Sequence, residues 1–310
     1  GRMSRRSGRL LSQSVWWRCL LLLCAACGAG MVIAKPDSAA TLLSRQLSLD
    51  ERLRYNQFNR PLVLDSTETP NHLAGDVYAV VDYQFEAVRA GLTDPDHWCD
   101  VMLLHINTKY CRAVPGQSGV ILRVNIGKKS HQELTDAPLL EFNFSVAAAT
   151  NEFVDVVLSA KEGPLGTSNY RIQFQAVPLS TGRTFLHLAY SYAFDFSGWL
   201  AMQAYLGTVG SGQVGFTEVG KLSNGQPDFV GGVRGLVERN TMRYYLAIDS
   251  FLDSDRAAPS ARFETRLQGW FTAVERYPRQ LHEMERSEYL AMKHAEILRQ
   301  QAPLEQKPQS

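Results

Sequence analysis

From Gly119 onward, apolar and polar residues alternate along the chain. Val120, Leu122, Val124 and Ile126 are interleaved with Ile121, Arg123 and Asn125, and Leu140, Phe142, Phe144 and Val146 with Glu141, Asn143 and Ser145. Tyr170, Ile172 and Phe174 are interleaved with Arg171, Gln173 and Gln175. Leu186, Leu188, Tyr190, Tyr192 and Phe194 are interleaved with His187, Ala189, Ser191 and Ala193. A period of two is that of a strand with one buried face. Residues 152–161 add a further strand, and turns at 163–166 and 180–182 separate antiparallel neighbours.

On either side of this run the period changes. Residues 35–60 mix Leu42, Leu43, Leu47, Leu49 and Leu53 with arginines, which predicts an amphipathic helical arm closed by Pro61. Residues 62–64 and 75–83 read as strands. Phe85, Val88 and Leu92 fall on one helical face, Asp94-Pro95 stops that helix, and 96–104 form a second short one. After the strands come a short helix at 198–205 and a hairpin pairing 214–219 with 228–230. A long helix at 234–252 carries Val233, Leu236, Val237, Asn240, Tyr244, Ala247, Ile248 and Phe251 on one stripe. Two further helical stretches follow, one ending at Pro278 and one charge-rich at 279–300, and 302–310 reads as a disordered tail.

The phrase GDVYAVVDYQF followed by EAVRAGLTDPDHW, at 75–98, opens a sequence of strand, two short helices, antiparallel strands and one long helix. Over residues 61–253 this resembles the START-like lipid-transfer superfamily. The resemblance implies an α+β helix-grip fold: a curved antiparallel sheet wrapped around a long C-terminal helix, here with extra helices at both ends (35–60 and 254–301). It also implies an apolar cavity between sheet and helix that holds a lipid or other apolar small molecule. Its expected lining is Phe142, Phe144, Tyr170, Ile172, Phe174, Leu186, Leu188, Tyr190 and Tyr192 on the strands, with Asn240 and Tyr244 on the helix. A tyrosine offers an apolar body with one hydroxyl, and Asn240 interrupts an apolar stripe, so each has a second reading as ordinary core or a locally bonded polar group. The same superfamily includes cyclase- and hydrolase-like enzymes, so an enzyme is the alternative reading, and a ligand-free scaffold docking a protein partner through 260–300 is another.

Composition narrows the setting. With 32 Lys+Arg against 31 Asp+Glu, the net charge of +1 gives no electrostatic case for nucleic acid. At 45 % hydrophobic and 20 % charged, the chain has the balance of a folded protein. Residues 3–9 are basic, 19–34 are apolar and then small, and Val32 and Ala34 suit a cleavage site, as in a secretory signal peptide spanning 1–34. That apolar stretch falls short of the roughly 20 residues a spanning helix needs. A membrane anchor, or lipidation at Cys27, is the competing reading. Removing 1–34 takes five arginines and no acid, and moves the net charge to −4. In a periplasmic or secreted chain the two remaining cysteines, Cys99 and Cys111, most simply form one disulfide. Two free thiols, or a zinc set with His97 and His105 in a spacing that matches no zinc motif, are the alternatives.

No acid–base set stands out for catalysis, and the residues imply neither cofactor nor metal. Gly210, Gly212 and Gly215 match GxGxxG, but extended residues follow where a nucleotide site needs a helix. His282-Glu283 has no second histidine four residues on and reads as a solvated face. His187 reads as packed under covering structure or solvated. Asp155, Asp195 and Glu218 are scattered.

Overall fold

The computed structural model describes residues 38–302; the expected signal segment, Cys27 and the tail beyond 302 lie outside them. The elements in chain order are α1 (Ala39–Ser48), α2 (Asp50–Arg54), β1 (Leu62–Thr69), β2 (His72–Val81), α3 (Phe85–Leu92) and α4 (Pro95–Leu104). Then come β3 (Thr108–Gly116), β4 (Gly119–Ile126), β5 (Leu139–Ala149), β6 (Val154–Glu162), β7 (Thr167–Pro178), β8 (Thr184–Phe194) and α5 (Phe196–Gly207). The hairpin β9 (Glu218–Lys221) and β10 (Pro227–Phe229) precedes α6 (Gly232–Asp253), α7 (Arg262–Val274), α8 (Pro278–Leu281) and α9 (Arg286–Gln301).

Eight strands form one antiparallel sheet in the order β1-β2-β8-β7-β6-β5-β4-β3. Register shifts at Thr108/Tyr110, Val146/Ala148 and Ser168/Arg171 insert bulges, which bend strands. On the inner face Leu186, Leu188, Tyr190, Tyr192 and Phe194 join the main core with Val77, Phe174, Phe142 and the residues of α6. The helix approaches the sheet at Gly75, where a Cβ would come within 2.2 Å of Thr241 Oγ1; glycine is what leaves room for the Thr241 side chain against β2. The sheet grips α6 from this side, and the arrangement is the helix-grip α+β fold.

The outer face has its own apolar layer. Leu42, Leu49 and Leu53 of the N-terminal helices bury Val63, Tyr78, Val177 and Phe185. Beside them His187 stacks on Tyr78 at 4.3 Å and its Nε2 lies 2.7 Å from Asp76. Gln173 and Gln175 donate to Asp155 on the same face. Asp195 caps α5 by accepting from the Gly198 N–H, and Glu218 is exposed.

The opposite side of α6 differs from the sequence expectation of one apolar stripe. Leu267, Trp270 and Phe271 of α7 and Tyr289 and Met292 of α9 join the same core, so the helix is buried nearly all round. The C-terminal extension therefore spends its apolar face within the chain. It is pinned by Lys109, Lys293 and Glu296, all at most 2 % exposed. Burial lowers the Lys293 ammonium to about 8, and its three protons go to the Glu296 carboxylate and the carbonyls of His105 and Thr108. Strand β3 was not legible as a strand. It is an edge strand with Lys109, Arg112 and Pro115 breaking its alternation, and an edge tolerates both charge and proline.

Cys99 of α4 and Cys111 of β3 are bonded to each other. This removes both thiols from the alternative zinc set, and His97 Nδ1 is bonded to the Gly91 carbonyl at 2.8 Å.

Candidate functional site

Strand alternation sends Tyr190 and Tyr192 inward from β8, and Tyr170 of the neighbouring β7 joins them. Across the gap, Leu236, Asn240, Arg243 and Tyr244 lie on one face of α6, at helical spacing. Gly198, Ala201, Met202 and Tyr205 of α5, again at helical spacing, close one side. Between these walls is a cavity of about 310 Å³, at the small end of ligand pockets, which run from roughly 300 to 1,000 Å³. Helix α5 can sit so close because residue 198 is glycine: a Cβ there would be 2.7 Å from the Gly166 carbonyl. Leu165 both lines the cavity and is 75 % exposed, so the cavity meets the surface at the 163–166 turn.

The wall is a chain of rings. Tyr170 stacks on Tyr192 at 5.2 Å, Tyr192 lies 5.6 Å from Tyr190, Tyr190 5.3 Å from Tyr244, and Tyr244 4.7 Å from His105. Burial raises the phenol pKa of Tyr170, Tyr190, Tyr192 and Tyr244, which keeps them neutral. The Tyr170 hydroxyl donates to Thr167 Oγ1 at 2.9 Å and that of Tyr192 to Met202 Sδ at 3.7 Å.

Five of the sequence-predicted residues line the cavity: Tyr170, Tyr190, Tyr192, Asn240 and Tyr244. The other six do not. Phe142, Ile172, Phe174, Leu186 and Leu188 are at most 1 % exposed in filled core, and Phe144 packs partly buried against it. Their side chains point inward as expected, but at their end of the sheet the space is taken by packed side chains. Leu188 stands between Val77 and Phe174, and Trp98 is in edge contact with Phe174.

The sequence reading missed the polar end. His105, Lys129 and Arg243 line the cavity, and no carboxylate does among the described residues. Glu283, from the segment between α8 and α9, accepts from Lys129 Nζ and Arg243 at 2.5 Å each. It is not the solvated residue the sequence suggested: its side chain is 9 % exposed. Burial opposes its charge, but Arg243 and Lys129 outweigh burial and hold the carboxyl below its ordinary value. Lys129 also donates to the Tyr205 hydroxyl. Arg239, one turn before Arg243 and 0 % exposed, makes no hydrogen bond of ordinary geometry among the described residues, with Tyr205 its near polar neighbour. Burial and then Arg243 lower it to about 10, with Tyr205 and Glu283 pulling the other way.

His105 is 4 % exposed. Its Nδ1 accepts the Asn107 backbone N–H at 3.2 Å, which in a neutral ring places the proton on Nε2. That Nε2 has no partner among the described residues. Burial first, then Arg243, Lys293, Lys129 and Lys109, push the imidazole well below 6.5. The folded chain therefore binds fewer protons than the unfolded one just below pH 6.5, and stability falls as the pH drops through that range. The slope from this one group is about 0.7 kcal/mol per pH unit near pH 6.5 and approaches about 1.4 toward pH 5. Urea midpoints from pH 7 to pH 5 should fall more steeply in the wild type than in His105→Phe; parallel curves would contradict the buried neutral ring.

A larger open cleft, about 1120 Å³, lies between the 57–61 segment, α6 and α7. Its central charges satisfy one another: Arg60 reaches Asp249 and the Tyr245 hydroxyl at 3.1 and 2.7 Å, and Tyr83 donates to Asp249. The tyrosine-walled cavity, with its ring wall and with unpartnered donors on lining side chains at its polar end, is the better ligand site.

No protein-family model matches the chain, and no curated protein matches it significantly. Among solved structures it is similar to a START superfamily protein from Mycobacterium smegmatis, at 13 % identity and TM-score 0.30 over 43 % of this chain and 88 % of that one. The Zhui aromatase/cyclase from Streptomyces sp. R1128 matches at 10 % identity and TM-score 0.32 over 69 % and 99 %. Human StAR-related lipid transfer protein 5 matches at 11 % and 0.30 over 56 % and 91 %. These likenesses are distant, and the helix-grip fold stands on the chain's own strand order and long helix.

Proposed function

We propose that the protein is an exported binding protein that holds an apolar small molecule in the cavity between sheet and α6. The observation that carries this reading is the unbroken ring wall, Tyr170–Tyr192–Tyr190–Tyr244, facing space rather than packed side chains. Such rings give a ligand a large apolar contact area with few rotatable bonds to order. Export is supported by the basic, apolar and small-residue order of residues 1–34 and by a disulfide, which persists in oxidising compartments.

Native mass spectrometry of the protein purified from its host tests both parts. The wild type should carry a small apolar molecule, and Ala201→Trp, which fills the cavity from α5, should arrive empty while still folded. A wild type that never carries ligand, or a variant that carries as much, overturns the binding reading. The same spectrum reads the N-terminus: a chain starting near Lys35 supports export, and a retained N-terminal segment contradicts cleavage.

A further inference from the structure

The cavity's polar end is unbalanced. Lys129 and Arg243 line it, Glu283 neutralises one positive charge, and Arg239 adds another beside them. No carboxylate lines the cavity among the described residues. Two N–H groups on side chains that line it also lack partners among the described residues, each with almost no accessible surface of its own: His105 Nε2 and Arg243 Nε, on residues 4 % and 1 % exposed. A buried donor left unmade costs free energy, and a buried cation without its counter-charge costs more. Both costs are offset by one kind of group, an oxyanion that accepts from several N–H donors at once. A neutral hydroxyl would satisfy one donor and leave the charge. An ammonium would add to the cation excess.

We infer that the ligand is an apolar molecule ending in an acidic group, whose body lies along the tyrosines and whose oxyanion accepts from His105 Nε2, Arg243 Nε and Lys129 Nζ. This deepens the binding reading above and rests on it. The geometry suits the division of labour. The rings of Tyr190 and Tyr244 lead directly to His105, so one molecule can touch rings and donors together. His105 is held for this by both of its neighbours: Asn107 fixes the tautomer, and Lys293 of α9 grips the His105 carbonyl. The neutral imidazole donates from Nε2 without adding charge, and the lysine and arginine supply the positive field.

The test uses three probes that share one apolar chain: decanoate, decanol and decylammonium, titrated at neutral pH into the delipidated full-length mature protein by calorimetry. A charge-assisted hydrogen bond in a buried site favours decanoate over decanol by about tenfold or more, and decylammonium should bind weakest. In Lys129→Met and His105→Phe, each assayed well below its own melting transition, the ratio of decanoate to decanol affinity should fall toward unity. Three results overturn the head-group inference and leave the cavity reading standing: equal binding of decanoate and decanol, tightest binding of decylammonium, or a decanoate preference untouched by both variants. Failure of all three probes to bind overturns both.

Discussion

Replacing Glu283 by glutamine should cost about 3–5 kcal/mol of folding stability, the range for removing one partner of a buried ion pair. The side chain is 9 % exposed and accepts from two cations, Arg243 at 1 % and Lys129 at 18 % exposure. Glutamine keeps the shape but removes the carboxylate with which both pair, and Arg239 beside them makes no hydrogen bond of ordinary geometry among the described residues. The cost arises less from the lost attraction than from the cations left behind. Urea unfolding at neutral pH gives the number. A loss below about 1 kcal/mol would mean that water reaches this cluster freely, as in exposed pairs. The variant also sharpens the head-group inference: decanoate should raise its unfolding midpoint more than it raises that of the wild type, because the bound anion stands in for the lost charge.

Removing the Cys99–Cys111 bond, by reductant or by a double alanine substitution, should cost about 3 kcal/mol. The cysteines are 12 residues apart, and a loop of that size sets the entropy the unfolded chain regains when the link is cut. The loop runs from α4 to β3 and contains His105, so the effect should reach the cavity as well. Urea curves with and without reductant should show a lowered midpoint, and decanoate affinity should fall with it. An unchanged midpoint after full reduction, confirmed by labelling of both thiols, would contradict this account.

Much of the fold was legible because most strands have one wet or lightly covered face and one buried face. The alternation around Leu122, Phe142, Ile172 and Leu188 placed β4, β5, β7 and β8 directly. Strand β3 escaped because an edge needs only one partner, and Lys109 and Pro115 hide its period. The cavity was half legible. Tyr170, Tyr190, Tyr192 and Tyr244 stood out as large rings on inward positions, but periodicity cannot separate a filled inward face from one that borders space. Leu186 and Leu188 point the same way as Tyr190 and lie in solid core. The cations were hidden for another reason. Arg243 borders the apolar stripe of α6 beside Leu236 and Asn240, Arg239 lies just outside it, and an arginine at the edge of a stripe ordinarily reads as wet. One signal was available: Met242, Tyr245 and Leu246 are also apolar and also off the stripe. A helix that is apolar nearly all round is a buried helix, and its arginines are then buried with it.

Ring-labelled tyrosine, followed by nuclear magnetic resonance as decanoate is added, tests the central claim most directly, because the protein carries its own controls. Tyr170, Tyr190, Tyr192 and Tyr244 face the cavity, whereas Tyr245 and Tyr289 are equally enclosed elsewhere in the core, at 0 % exposure. With signals assigned by single phenylalanine substitutions, the four cavity tyrosines should shift together along one saturating curve while Tyr245 and Tyr289 stay in place. Movement confined to surface rings such as Tyr55, or no movement of the four, would contradict a ligand site between the sheet and α6.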